Sequence, residues 1–204
     1  MIYGTGDFSY ELAEDWGSLP EGYEFHQVAG VGVDSQDQVY LFNRGNHQVM
    51  VFNNDGDFLK SWNQSFLGPH GMCIGPDDNV YLVDRDAHIV LKYDLGERLL
   101  LTLGTRGQPS DTGYAGDLAQ VDRPGSPFHL PSGVAIADTG DIFISDGYGN
   151  CRVHHYDPTG ALIDSWGGPG KSNPGDLRSQ SIARRDESSP PTATLCFEFP
   201  KCIS

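Results

Sequence analysis

The sequence predicts an all-β fold built from repeated four-stranded antiparallel sheets. Three observations carry this reading: an internal repeat, short β-branched and aromatic runs separated by turn residues, and glycine spread through the chain at 26 of 204 residues. Average proteins hold roughly 7% glycine, so the excess points to many turns and many short strands. Charge narrows the partners. With 28 acidic against 13 basic residues and a net charge of -15, nucleic acid and anionic membranes are poor matches.

The repeat is the strongest signal. Residues 28–62, 69–103 and 131–166 align. Each copy has an apolar residue (Val33, Ile74, Ile136) ahead of an aromatic (Tyr40, Tyr81, Phe143). A polar residue follows (Asn43, Asp84, Asp146), then a second aromatic (Phe52, Tyr93, Tyr156) and a large closing residue (Trp62, Leu103, Trp166). In the first copy GVGVD, QVYLFN, QVMVFN and FLKSW read as strands, divided by SQDQ, RGNH and NDGD. The DG and TG pairs before the last strand fit tight hairpins. One such sheet cannot bury both its faces, whereas copies stacked radially can, which is the β-propeller arrangement. A two-sheet sandwich does not predict a repeat of this period.

Between the second and third copies lies a Gly-, Pro- and Ser-rich loop, residues 104–129. It reads either as a functional loop on one propeller face or as irregular padding. Residues 1–27 hold one strand-like run, FSYELAEDW, expected as a lone N-terminal strand that helps close a ring. Residues 178–204 match no repeat, carry Arg178, Arg184, Arg185 and Lys201, and read as a disordered tail. No run of about 18 apolar residues is present, so no transmembrane helix is expected. The N-terminus shows neither the basic nor the apolar region of a secretory signal, which favours a cytoplasmic setting. Cys73, Cys151, Cys196 and Cys202 lack metal-knuckle spacing and read as thiols in a reducing compartment.

Certain segments go further. LFNRGNH (41–47), GPHGMCIGPDDNVYLVDRDAH (68–88) and PSGVAIADTGDIFISDGYGNCRV (131–153), followed by DSWGGPGKSNPGDL, resemble NHL repeats. In detail they resemble the peptidyl-α-hydroxyglycine α-amidating lyases, the lyase half of the peptidylglycine amidating enzyme. The resemblance implies an NHL-type β-propeller of six blades, of which this chain carries three plus the N-terminal strand. It also implies a C–N lyase that splits a peptidyl-α-hydroxyglycine into a peptide amide and glyoxylate, with zinc and calcium as cofactors. Carried over by position, His70 is a zinc ligand, and the backbone carbonyls of Val31 and Met72 hold calcium. Arg44 is the functional arginine and Tyr148 the catalytic tyrosine. Each has a plainer reading. The Pro-His-Gly of His70 can simply shape a strand start, Arg44 can be a turn residue paired to an acid, and Tyr148 can be a packed loop aromatic.

The pattern also breaks. A second zinc histidine is expected after PGDL, where this chain reads RSQSIARR. The remaining ligands belong to later blades. PFHL stands where the family has a cysteine beside the Phe, and Gly149 stands where it has another, so that disulfide is expected to be lost. The chain therefore reads as a C-terminally truncated relative with an incomplete zinc site and impaired catalysis. The other reading is a non-enzymatic scaffold that binds a peptide or protein partner, and three blades alone would leave open sheet edges suited to self-association. His47, His88, His154 and His155 are expected to be structural or surface residues.

Overall fold

The computed structural model describes residues 2–116 and 120–169. The stretch 170–177 and the expected tail 178–204 lie outside the described residues. Fourteen strands and no helix occur among the described residues. The first two, β1 (Ile2–Thr5) and β2 (Phe8–Glu11), pair as an antiparallel hairpin. This corrects the expectation of a lone strand. Its side chains, Ile2, Tyr3, Phe8 and Tyr10 among them, are exposed.

Three four-stranded antiparallel sheets follow, each with its strands in sequence order. The first holds β3 (Gly30–Val33), β4 (Val39–Phe42), β5 (Val49–Phe52) and β6 (Phe58–Ser61). The second holds β7 (Pro69–Ile74), β8 (Val80–Asp84), β9 (Ile89–Tyr93) and β10 (Leu99–Gly104). The third holds β11 (Gly133–Ile136), β12 (Ile142–Asp146), β13 (Arg152–Tyr156) and β14 (Leu162–Gly167). The sheets are blades of a partial propeller, and their first strands lie side by side, β3 against β7 and β7 against β11.

Side-chain alternation along the strands explains the stacking. Tyr40 and Phe42 on β4 face the second blade, where they meet Val80 and Leu82 of β8. The next residues along β8, Tyr81 and Val83, face the third blade and meet Ile142 and Ile144. Leu41, from the other face of β4, packs with Met50 and Phe52 under Trp16, Leu19 and Tyr23 of the lead-in segment. Each fully buried large side chain contributes roughly 1.5–3 kcal/mol, so these inter-blade layers supply most of the cohesion. The hairpins repeat as well. In each blade the turns close on a residue of positive φ: Asp37, Gly56, Asp78, Glu97, Gly140 and Gly160. A carboxylate or amide at the head of a turn, as Asp34 does for Gln36 and Gln38, accepts its backbone N–H groups.

One polar residue per blade ties the structure at the axis end. Asn43, Asp84 and Asp146 are fully buried. Asp84 and Asp146 end the second strand of their blades, one strand out from the inner one. Each holds the segment leading into its own inner strand. Asn43 Oδ1 accepts His26 N, Asp84 Oδ1 accepts Gly68 N, and Asp146 Oδ2 accepts His129 N, all at 2.8 Å. Glycine sets the inner-strand spacing. A Cβ on Gly71 would lie 2.7 Å from Ser132 O and 2.8 Å from Gly133 Cα.

Two outcomes follow for stability. Gly71→Ala must push two inner strands apart and is expected to cost about 1–3 kcal/mol, read as a lower urea midpoint. Asp84→Ala leaves the buried Gly68 N–H and the part-buried Leu67 N–H without their acceptor. It is expected to cost about 1–3 kcal/mol per unpaired group, seen in the same measurement.

Candidate functional site

His70 and Tyr148 come from different blades and meet at the inner end of the sheets. His70 is the second residue of β7, and Tyr148 lies in the short loop between β12 and β13. The His70 Nδ1 lies 2.7 Å from the Ser132 carbonyl oxygen. A carbonyl can only accept, so Nδ1 carries the proton and Nε2 presents its lone pair. That lone pair faces the Tyr148 hydroxyl at 3.2 Å, and the hydroxyl donates to it. The two rings meet edge-on at 5.5 Å. Ser132 occupies in the third blade the place of His70 in the second, as Pro131-Ser132-Gly133 matches Pro69-His70-Gly71.

Arginines flank the pair. Arg44 is exposed, donates through Nε to Pro69 O at 3.0 Å and reaches Gln27 Oε1 at 3.4 Å. Among the described residues no carboxylate lies within ion-pair distance of it. Arg85 was not singled out from sequence, although the repeat places it where Arg44 stands in the first blade, directly after the buried polar residue. Its guanidinium carbon lies 5.5 Å from the Tyr148 ring centroid. Its Nε and one terminal nitrogen grip the Asp86 carboxylate at 2.8 and 3.2 Å. Asp86, then the Tyr148 phenol, hold the Arg85 guanidinium above its ordinary range against the opposing effect of burial. Burial, aided by the positive charges of Arg85 and Arg44, holds the His70 imidazole below its usual value, although its bond to Ser132 works the other way.

The other expected residues lie nearby or elsewhere. Val31 and Met72 sit on neighbouring inner strands, where a Cβ on Gly30 would lie 2.7 Å from the Met72 Cβ. His47 stacks on Tyr23 at 3.5 Å, and His88 Nδ1 accepts Leu130 N at 3.1 Å. His154 is fully buried against Phe128, and His155 stacks on Phe143 while pairing with Asp141. The described parts of the loop 104–129 are anchored at three places. Phe128 and Thr112 are fully buried, and Asn150 bonds both the N–H and the carbonyl of Gly125. Cys151, expected as a thiol, is disulfide-bonded, while Cys73 is a free cysteine.

A zinc centre of the kind the resemblance implies needs three protein ligands and an open position. Among the described residues no three His, Cys, Asp or Glu side chains gather into a metal-holding group. His70 offers one imidazole, whose Nε2 accepts from the Tyr148 hydroxyl, so the described residues do not fit that centre, and no chemical step is assigned to a metal.

With this geometry in place, residues 128–156 match the NHL repeat family model. The third blade is an NHL repeat, and the chain as a whole is a partial β-propeller. It is 31% identical over 194 residues to peptidylglycine alpha-amidating monooxygenase of Rattus norvegicus, covering 80% of this chain and 18% of that protein. It is 39% identical over 115 residues to peptidyl-alpha-hydroxyglycine alpha-amidating lyase 1 of Drosophila melanogaster, covering 55% of this chain and 19% of that one. It is 33% identical over 159 residues to NHL repeat-containing protein 3 of Homo sapiens, covering 73% of this chain and 43% of that protein. The chain thus spans less than half the length of each. Among solved structures, a streptogramin B lyase aligns with a TM-score of 0.54 at 11% identity, covering 76% of this chain and 44% of that one. A virginiamycin B lyase from Staphylococcus aureus aligns at 0.52 and 11% identity, covering 81% and 45%. At such identities the likeness shows the blade architecture alone.

The burial of His70 beside two arginines has a measurable consequence. With its folded value lowered, His70 takes up its proton below the ordinary 6.5. The unfolded chain then binds more protons between the two values, so this histidine's contribution to stability is lost as pH falls through that window. Two-dimensional NMR of the imidazole is expected to show a titration midpoint below 6.5, moving upward in Arg44→Gln.

Proposed function

We propose that this chain carries the proton-handling half of a peptidyl-α-hydroxyglycine amidating-lyase site. The observation that carries the reading is the Tyr148 hydroxyl donating to a His70 nitrogen whose tautomer is fixed by Ser132. The similarity to amidating lyases supports it. The reaction needs no change in oxidation state. Tyr148 takes the proton of the substrate α-hydroxyl as its own proton moves to His70 Nε2. The oxygen forms a carbonyl, the bond from the α-carbon to nitrogen breaks with its electron pair going to nitrogen, and that nitrogen regains a proton. The products are a peptide amide and glyoxylate. Arg44, exposed beside the pair and without an acidic partner among the described residues, is placed to hold the substrate carboxylate.

The zinc and calcium of the resemblance remain part of this proposal only. Zinc ligation by His70 would use the same Nε2 and is therefore the alternative to the proton transfer from Tyr148, while the Val31 and Met72 carbonyls would serve calcium. Because one imidazole does not make a zinc site, turnover by the 204-residue chain is proposed to be impaired. Glyoxylate release from a peptide ending in α-hydroxyglycine is the test. The expected result is slow release, lowered a further 100-fold or so by Tyr148→Phe, in the range of a lost acid–base group, with Arg44→Gln chiefly raising KM. Release unaffected by Tyr148→Phe would remove the site assignment, and release at the rate of a complete amidating lyase would remove the impairment. A second reading is a scaffold that binds a peptide on the same face. That reading expects peptide binding to survive Tyr148→Phe without any glyoxylate release.

A further inference from the structure

Tyr148 is touched from two directions by the second blade. His70 reaches its hydroxyl, and Arg85 reaches its ring. Both groups ride on one tied unit. Asp84 accepts Gly68 N at 2.8 Å, and Gly68 O accepts Arg85 N at 2.9 Å, so the segment before His70 and the loop bearing Arg85 are joined by their backbones. Gly68 also leaves room for Asp86, since a Cβ there would lie 2.5 Å from the Asp86 Oδ2. Asp86 in turn grips Arg85 with two bonds, in the planar geometry that fixes a guanidinium's direction at small entropic cost. Tyr148 itself belongs to the third blade. Its loop backs onto His129, where Gly149 N donates to His129 O at 3.0 Å and a Cβ on Gly149 would lie 2.7 Å from the imidazole.

We infer that Arg85, oriented by Asp86, is a positioning residue that clamps the Tyr148 ring so that its hydroxyl stays aligned with His70. The inference rests on the lyase reading for its kinetic consequence, but not for its structural one. The pairing of an arginine face with an aromatic ring is attractive in its own right. The Arg44 position, by contrast, lacks this contact and faces outward, so the two repeat-related arginines divide the work: one holds the tyrosine, the other receives the substrate.

The experiment uses the full chain with 3-fluorotyrosine incorporated in place of Tyr148, read by 19F NMR, alongside kinetics of the unlabelled variants. Arg85→Met is expected to shift and broaden the fluorine resonance. It is expected to lower kcat about 10- to 100-fold, the scale of a small misplacement of a reacting group, with KM changed less than about twofold. Arg85→Lys, which keeps the charge but not the fork, should restore part of both, and Asp86→Asn should fall between wild type and Arg85→Met. A fluorine resonance unmoved in both Arg85→Met and Asp86→Asn overturns the inference. If the wild-type chain releases no glyoxylate, the lyase reading fails while the fluorine measurement still decides the role of Arg85. If Arg85→Met does not fold, Arg85→Lys and Asp86→Asn decide it by the same resonance.

Discussion

Three buried side chains govern the inner end of this fold. Asn43, Asp84 and Asp146 close the second strand of each blade, and each bonds the backbone that leads into the first. A buried polar group without partners costs free energy, so these residues and the N–H groups they bind are compelled to meet. Asp84 carries the largest load. It accepts from Leu67 and Gly68, and Arg106 from the following loop reaches its other oxygen at 3.3 Å. Asp146 does the same for His129 and adds Asn150, which secures Gly125 in the long loop. Through these ties the packing of the blades is converted into fixed positions for the residues at the axis.

The candidate site is a product of that conversion. His70, Arg85 and Asp86 sit on segments bound to one another through Asp84 and Gly68, whereas Tyr148 arrives from the next blade on a segment bound through Asp146. The inner strands approach so closely at Gly71 and Gly133 that the two segments have little freedom to slide. Ser132 then reads the orientation of His70 from across the same gap. The chemistry is therefore an inter-blade property, set by how two sheets pack as well as by the residues they bear.

Local charge runs against the global balance. The chain as a whole is strongly acidic, yet two arginines flank the His70–Tyr148 pair, and Arg44 has no carboxylate neighbour among the described residues. Arg85 is already neutralised by Asp86, so it acts on the ring beside it, while Arg44 is left to attract an anion. Burial and these two cations keep His70 neutral, which is the state in which its Nε2 can receive a proton.

Much of the fold was legible in the sequence because propeller blades repeat their physics. Alternating aromatics such as Tyr40 and Tyr81, turn residues at fixed offsets and a buried acid or amide at one place per copy all recur, and the all-β blades follow from them. Tyr148, Arg44 and His70 were legible only through the family resemblance that their short motifs carry. Arg85 was present in the same alignment, one place after Asp84, but its meaning depended on which ring lay across from it. The N-terminal hairpin and the bonded Cys151 escaped for a similar reason, since each is decided by what a segment pairs with. Sequence by itself determined the blade pattern and the residue types at the axis, because both follow from local periodicity and turn chemistry. Tertiary structure alone decided that His70 faces Tyr148, that Ser132 sets the proton on Nδ1 and that Arg85 rather than Arg44 meets the phenol ring. Those contacts cross from blade to blade, and no local rule specifies them.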